Sequence, residues 1–220
     1  ALVKYKILPE EIDNKYVKPL EEAWQNREIN YDTYLNKLVE VYTAGIRGIS
    51  QEDAEFIAKT VINNDHKRLY TYTRDKIKEH KALGHKIILI SGSPDFLVSR
   101  MAQELDADIW FGTTYLTKNG RYTGEIIPMW DSFSKHSTIE RLEKYYGIDM
   151  ENSYAYGDTN GDYLMLAKVG HPIAINPNVE LIERLKESDF KSNVTVVVER
   201  KDTIHCYPLT TTDVQHPHNK

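Results

Sequence analysis

The sequence predicts an α/β protein: a doubly wound parallel sheet carrying a helical cap. Three observations predict it. Residues 1–83 read as helix almost throughout. From Lys86 onward, short β-rich runs alternate with helical stretches, the pattern of strands joined by crossover helices. Several of those runs end in turns rich in Ser, Gly and Asp, where open parallel sheets bind ligands.

The helical part begins at Pro9-Glu10-Glu11, where proline suits the first turn and acids suit the positive helix end; this helix is expected to reach about Asn26. A second is expected over Tyr31–Ile46, with Tyr34, Leu35, Leu38, Val39 and Tyr42 on one face. Ser50 and Asp53 resemble a capping box opening a third, through Ala54, Ile57, Ala58 and Val61. A fourth is expected over about 67–83, stopped by Gly84.

The α/β part opens with Ile87-Ile88-Leu89-Ile90, a run suited to a strand buried on both faces. Pro94 is expected to start the helix that follows and runs to about Leu105. Residues 108–112 read as a strand, and 114–127 as a hairpin turning at Asn119-Gly120. A helix is expected over 133–146, a strand over 154–156, a helix over 162–169 and a strand over 173–175. A helix over about 179–187 and a strand over 194–198 complete the alternation. The expected division is a cap over 1–83, a Rossmann-like core over 84–208 and a loose tail over 209–220.

Composition bounds the function. The 220 residues are 40% hydrophobic and 28% charged, with a formal net charge of -5 and a pI of about 5.9. That balance gives no electrostatic reason to expect nucleic acid or an anionic membrane as partner. No apolar run is long enough to span a bilayer. Cys206 is the one cysteine, so no disulfide forms within the chain, which fits a reducing cytoplasm.

Three places could carry chemistry. Ser91-Gly92-Ser93 follows a strand and precedes a helix, an arrangement that can hold an anion; equally, Ser93 could simply cap the helix. Gly157-Asp158-Thr159-Asn160-Gly161-Asp162 follows another strand. Its two carboxylates can face one pocket and suit a hard cation such as Mg²⁺, or Asp162 can serve as a helix cap. Lys135 falls in the first turn of a helix, against the helix dipole; taken alone, it reads best as a solvated lysine.

Taken in order, the strand-end serine, the lysine and the strand-Gly-Asp-x-x-x-Asp segment resemble motifs two, three and four of the haloacid dehalogenase superfamily. The stretch from Val169 to Pro177 is similar to the segment after motif four in the subfamily that contains phosphoserine phosphatase. The resemblance implies a Mg²⁺-dependent hydrolase acting on a small phosphorylated metabolite through an aspartyl-phosphate. It implies that Ser91 and Gly92 bind phosphate, and that Lys135 neutralises phosphate and nucleophile charge. It also implies that Asp158 ligates Mg²⁺ directly, with Asp162 acting through water or behind the ligand. The family's motif one, Asp-x-Asp at the end of the first, central strand, has no match in place. Asp106-Ala107-Asp108 follows a helix and lies downstream of Ser91, so it is rejected. The expectation is that the central strand and nucleophile are absent from this chain, which on its own is then expected to be unstable and inactive; the alternative is an inactive phosphate- or metal-binding module. Gly161 stands where phosphoserine phosphatases carry Asn, which argues against phosphoserine as substrate. Tyr42, Arg47, Lys67 and Arg68 are cap residues that could line a pocket, though each reads better as surface or packing.

Overall fold

Hydrogen bonding sorts the strands of the computed structural model into two sheets, β1-β2-β3 and β4-β5-β6-β7. The structure describes residues 10–65 and 68–211. The chain forms two compact units, Ala1–Arg68 with Ile87–Pro128, and Leu69–Lys86 with Met129–Lys220.

In the first unit, α1 (Glu10–Ile12) runs into a π-helical segment, Asp13–Val17, and then α2 (Lys18–Gln25). The single helix expected there is thus interrupted by a wider turn. α3 (Tyr31–Ile46) has the expected bounds, and the Asn30 side chain caps it by accepting from the Thr33 amide at 2.9 Å. α4 (Gln51–Asp65) starts after Ser50, whose hydroxyl oxygen accepts from the Asp53 amide at 3.1 Å. The other half of the capping box differs from expectation: the Asp53 carboxylate takes the Ser50 hydroxyl proton at 2.6 Å.

The sheet of this unit is built on β1 (Ile88–Pro94), β2 (Ile109–Lys118) and β3 (Arg121–Ile127), with α6 (Asp95–Leu105) linking the first two. Residues 108–112 and 114–118 were expected in separate elements. They form one strand, β2, parallel to β1 through its first half and antiparallel to β3 through its second. The β2–β3 turn is Asn119-Gly120, with φ of 53° and 73°, the doubly left-handed geometry of a tight hairpin. Ile46, Ala54, Tyr115 and Tyr122 form the buried core here, with Tyr42, Ile49, Phe96 and Ile126 packed on it. Tyr42 is therefore core, as its packing reading held. Lys67 lies outside the described residues.

The second unit holds α5 (Thr71–Ala82), α7 (Ser132–Tyr146), β4 (Tyr154–Gly157), α8 (Tyr163–Leu166), β5 (His171–Ile175), α9 (Val179–Lys186), β6 (Thr195–Arg200) and β7 (Thr203–Pro208). β4, β5 and β6 are parallel, and β7 returns antiparallel along β6. Leu166, Leu181, Leu185, Val194, Val196 and Val197 are fully buried. α5 belongs to this unit because Glu199 of β6 accepts the Thr71 and Tyr72 amides, each at 2.8 Å, and so caps its N-terminus.

Packing therefore divides the chain differently from the expected cap at 1–83 and core at 84–208; that division stands as a functional proposal. β1 and β4 are each terminal in their sheets. Three residues of the expected tail are described. Leu209–Thr211 form a 3₁₀ turn, and Leu209 is buried with its amide on the Val194 carbonyl at 3.0 Å. The remainder, 212–220, lies outside the described residues. Among the described residues no helix is long and apolar enough to cross a membrane.

Candidate active site

In the second unit, β4 ends at Gly157 and the chain turns sharply through Asp158–Asp162 into α8. Asp162 organises that turn. Its Oδ2 accepts from the amides of Asp158 and Thr159 at 3.1 Å each, and from the Thr159 hydroxyl at 3.2 Å. Its Oδ1 accepts from Lys135 Nζ at 2.5 Å. Asp162 was read either as a cap of the following helix or as a residue behind Asp158; its side chain makes no cap bond to α8 and instead bonds within the turn, to Asp158 and Thr159. With both oxygens occupied, it is suited to orienting a ligand rather than to being one.

Lys135 is 6% exposed, not the solvated lysine that its position alone suggested. The Asp131 side chain caps α7 by accepting from the Ser134 amide at 2.9 Å, which fixes the turn carrying Lys135. Asp162 supplies the negative charge that makes an ammonium tolerable at a helix N-terminus.

Asp158 is reached by solvent, yet surrounding protein raises its carboxyl above the ordinary range. Desolvation is the main cause and the Asp162 charge the second, against the pull of Lys135. A carboxylate held near another carboxylate and short of water is one that a divalent cation would relieve. Among the described residues no three His, Cys, Asp or Glu side chains gather into a metal cage. One hard carboxylate backed by a second still fits Mg²⁺, which keeps several waters and takes phosphate oxygens as ligands.

Two glycines make the geometry possible. A Cβ on Gly157 would lie 2.4 Å from Asp162 Cβ, and one on Gly161 would lie 2.2 Å from the Trp130 carbonyl oxygen. Gly161 is therefore a packing requirement of this turn, a fuller account than a missing substrate contact. Asn178, which caps α9 through Leu181, also donates its amide to the Asp158 carbonyl at 2.8 Å. Trp130 and Asn178 carried no signal in the sequence, because each acts on the turn through its backbone.

Ser91 and Gly92 lie in the first unit, inside β1 rather than beyond its end. The register jumps there: Ile90 pairs with Phe111 and Pro94 with Thr113, so the intervening Ser91-Gly92-Ser93 bulges from the ladder. The Ser91 hydroxyl accepts from the Ser93 amide at 3.2 Å, and Thr113 Oγ1 donates to the Gly92 carbonyl at 2.8 Å. Gly112 lets β2 approach, since a Cβ there would lie 2.8 Å from Asp95 Cα. Pro94 itself holds the N-cap position of α6 without a side-chain cap bond, so Ser93 is not the cap. The structure brings Lys135, Asp158 and Asp162 together; Ser91 and Gly92 form their own bulge in the first unit.

The rejected Asp106-Ala107-Asp108 is structural. Asp106 ends α6 in the left-handed conformation at φ 49°, and Asp108 Oδ2 accepts the Ile87 amide at 2.8 Å.

The second unit thus joins a parallel sheet, a carboxylate turn after β4 and a lysine on the preceding helix, α7. The family model of haloacid dehalogenase-like hydrolases matches residues 16–167, and the chain belongs to that family. It is 28% identical over 179 residues to a phosphoserine phosphatase of Archaeoglobus fulgidus, covering 81% of this chain and 49% of that protein. It is 31% identical over 110 residues to a "Probable phosphatase" of Mycobacterium tuberculosis, covering 50% of this chain and 38% of the relative. The chain thus spans half or less of the length of these curated relatives. Among solved structures, a substrate-bound phosphoserine phosphatase complex aligns with a TM-score of 0.57 and 25% identity, over 79% of this chain and 81% of that one. A Bordetella pertussis protein of unknown function aligns at 0.61 with 21% identity, covering 76% of each chain, a likeness of fold.

Proposed function

We propose that the protein carrying this chain hydrolyses a small phosphate monoester with Mg²⁺, through an aspartyl-phosphate intermediate, in the cytoplasm. The observation that carries the reading is the buried Lys135–Asp162 pair beside Asp158, whose carboxyl the surrounding protein raises. Asp158 would hold the ion, with Asp162 fixing the turn behind it. When bound, Mg²⁺ draws charge from the phosphoryl oxygens as the ester bond breaks.

Lys135 supplies a fixed positive charge from a buried position, where it acts more strongly than in solvent. Asp162 keeps the ammonium aimed. Ser91 and Gly92 are assigned to phosphate on the family resemblance alone. The attacking carboxylate is not assigned to any described residue, since Asp106 and Asp108 serve the fold. The relatives called phosphoserine phosphatases support a small phosphorylated metabolite as substrate. One exposed cysteine, Cys206, fits a reducing compartment.

The test is release of phosphate from p-nitrophenyl phosphate and O-phosphoserine, with Mg²⁺ or with chelator, by the whole protein that carries this chain, as wild type and as Asp158→Asn. The expected result is Mg²⁺-dependent turnover, lowered at least about a hundredfold in the variant. Equal turnover in the two proteins would refute the assignment of Asp158. Phosphate binding without turnover would favour an inactive binding module.

A further inference from the structure

Arg184 of α9 reaches the carboxylate turn. Its Nη1 donates to Asn160 Oδ1 at 3.0 Å. Its guanidinium carbon lies 3.8 Å from the centre of the Tyr163 ring. Asn160 and Tyr163 flank Gly161 and Asp162 in the chain, so one side chain grips the turn on both sides of its organising carboxylate. Tyr163 is itself held against Phe190, with ring centres 5.8 Å apart.

Among the described residues no carboxylate pairs with Arg184. Its contacts are a neutral amide and a ring face. That is a use of the planar fork rather than of the charge alone, and lysine cannot reproduce it. The other holds on the turn differ in kind. Asp162 binds it from within, while the Asn178 amide and the Trp130 carbonyl act through backbone. Two separate helices grip side chains of the turn: Lys135 of α7 holds Asp162, and Arg184 of α9 holds Asn160.

We propose that Arg184 is a positioning residue for the cation: it fixes the Asp158–Asp162 turn through Asn160 and Tyr163, and so sets how tightly Asp158 takes a divalent ion. The inference rests on the assignment of Asp158 as ligand made above. Outer partners of metal ligands act in this way, and their removal weakens metal binding about 10- to 100-fold.

The test is Mn²⁺ titration of the full chain, followed by electron paramagnetic resonance of the free ion, with melting temperatures measured alongside. The proteins are wild type, Asp158→Asn, Arg184→Lys, Asn160→Ala and the Arg184→Lys/Asn160→Ala double variant. Wild type is expected to bind saturably and Asp158→Asn at least about tenfold more weakly. Arg184→Lys and Asn160→Ala should each weaken binding about tenfold, and the double variant no further than either single one, because both break the same contact.

Wild-type affinity in Arg184→Lys, with Asp158→Asn weakened, would overturn the inference and leave the ligand assignment standing. Additive losses in the double variant would also overturn it. No saturable binding in wild type, or equal binding by wild type and Asp158→Asn, would remove the ligand assignment and the inference with it. If Arg184→Lys unfolds part of the chain, Asn160→Ala decides alone, since it leaves the guanidinium on Tyr163; its binding as wild type would overturn the proposal.

Discussion

Lys135 Nζ lies 2.5 Å from Asp162 Oδ1, between side chains that are 7% and 5% exposed. Removing water from two charges costs several kcal/mol, which their attraction offsets only with good geometry and further hydrogen bonds. Asp162 has those bonds, from two amides and a hydroxyl. Lys135 has a directed partner and a fixed place on α7. Under the proposed function, this buried ammonium presents its charge to an incoming phosphate.

Breaking the pair from one side should therefore destabilise the fold as well as the site. Lys135→Met leaves the Asp162 charge buried without its ammonium, and the expected loss is about 3 kcal/mol. Urea denaturation of wild type and variant measures it. A loss below about 1 kcal/mol, the range of exposed pairs, would mean that water reaches this pair.

The turn should tolerate no side chain at its two glycines. Gly157→Ala places a methyl 2.4 Å from Asp162 Cβ and must displace the carboxylate from Lys135. Gly161→Ala meets a backbone carbonyl at 2.2 Å, which cannot rotate away. Overpacking of this kind costs about 1–3 kcal/mol. Gly48→Ala is the comparison, because nothing lies within 4 Å there and only its positive φ of 84° is strained. Metal-dependent turnover should fall in the first two variants and persist in the third. Wild-type turnover in Gly157→Ala would show that Asp162 need not sit where it does.

Much of this site was legible in the sequence, and the reasons for the remainder are physical. Asp158, Asp162 and Lys135 could be singled out by their order along the chain and its resemblance to the family motifs; alone, Lys135 read as solvated and Asp162 could equally be a helix cap. Their burial and pairing could not be read, since residues 135 and 162 meet only through the fold. α3 showed its full length because its apolar face repeats cleanly and Asn30 caps it. The strand over 203–208 went unread: its residues are mostly exposed and its hairpin turns at Lys201-Asp202, with Lys201 at φ 57°, a pair outside the usual Asn-Gly signal. β2 was cut in two because it changes partners midway while its own chain stays extended. Arg184 gave no signal, as an arginine on an amphipathic helix ordinarily faces solvent.

Glu199 should matter to α5 more than a strand residue usually matters to a helix. Its two oxygens accept the Thr71 and Tyr72 amides at 2.8 Å, and Tyr70 at the N-cap offers no side-chain bond. Glu199→Ala leaves those amides without this cap, at an expected cost of about 1–2 kcal/mol, while Glu199→Gln keeps one acceptor and should lose less. Hydrogen exchange resolved by residue checks this. Faster exchange confined to the first turn of α5 in Glu199→Ala is expected, and unchanged exchange would deny the cap.

Acid should loosen the same helix through His80. His80 Nδ1 lies 2.9 Å from His85 Nδ1, and its Nε2 lies 2.7 Å from Tyr156 Oη. Only one of the two facing nitrogens can carry a proton, so the arrangement requires at least one neutral ring. Burial first, and His85 second, push the His80 pKa below its ordinary 6.5, with Lys76 acting in the same direction and Glu79 against it. Tyr154 packs at a tilt against His80 and stacks on His85 and His171. With the folded pKa below the unfolded one, the unfolded chain binds more protons as pH falls. The contribution to stability is thus complete above about pH 6.5 and is lost as pH drops through that value toward the folded pKa. Urea denaturation between pH 8 and pH 5 should show wild type losing stability across this window, and His80→Gln losing less. Parallel profiles for the two proteins would mean that His80 titrates alike folded and unfolded, and that the loss belongs to other groups.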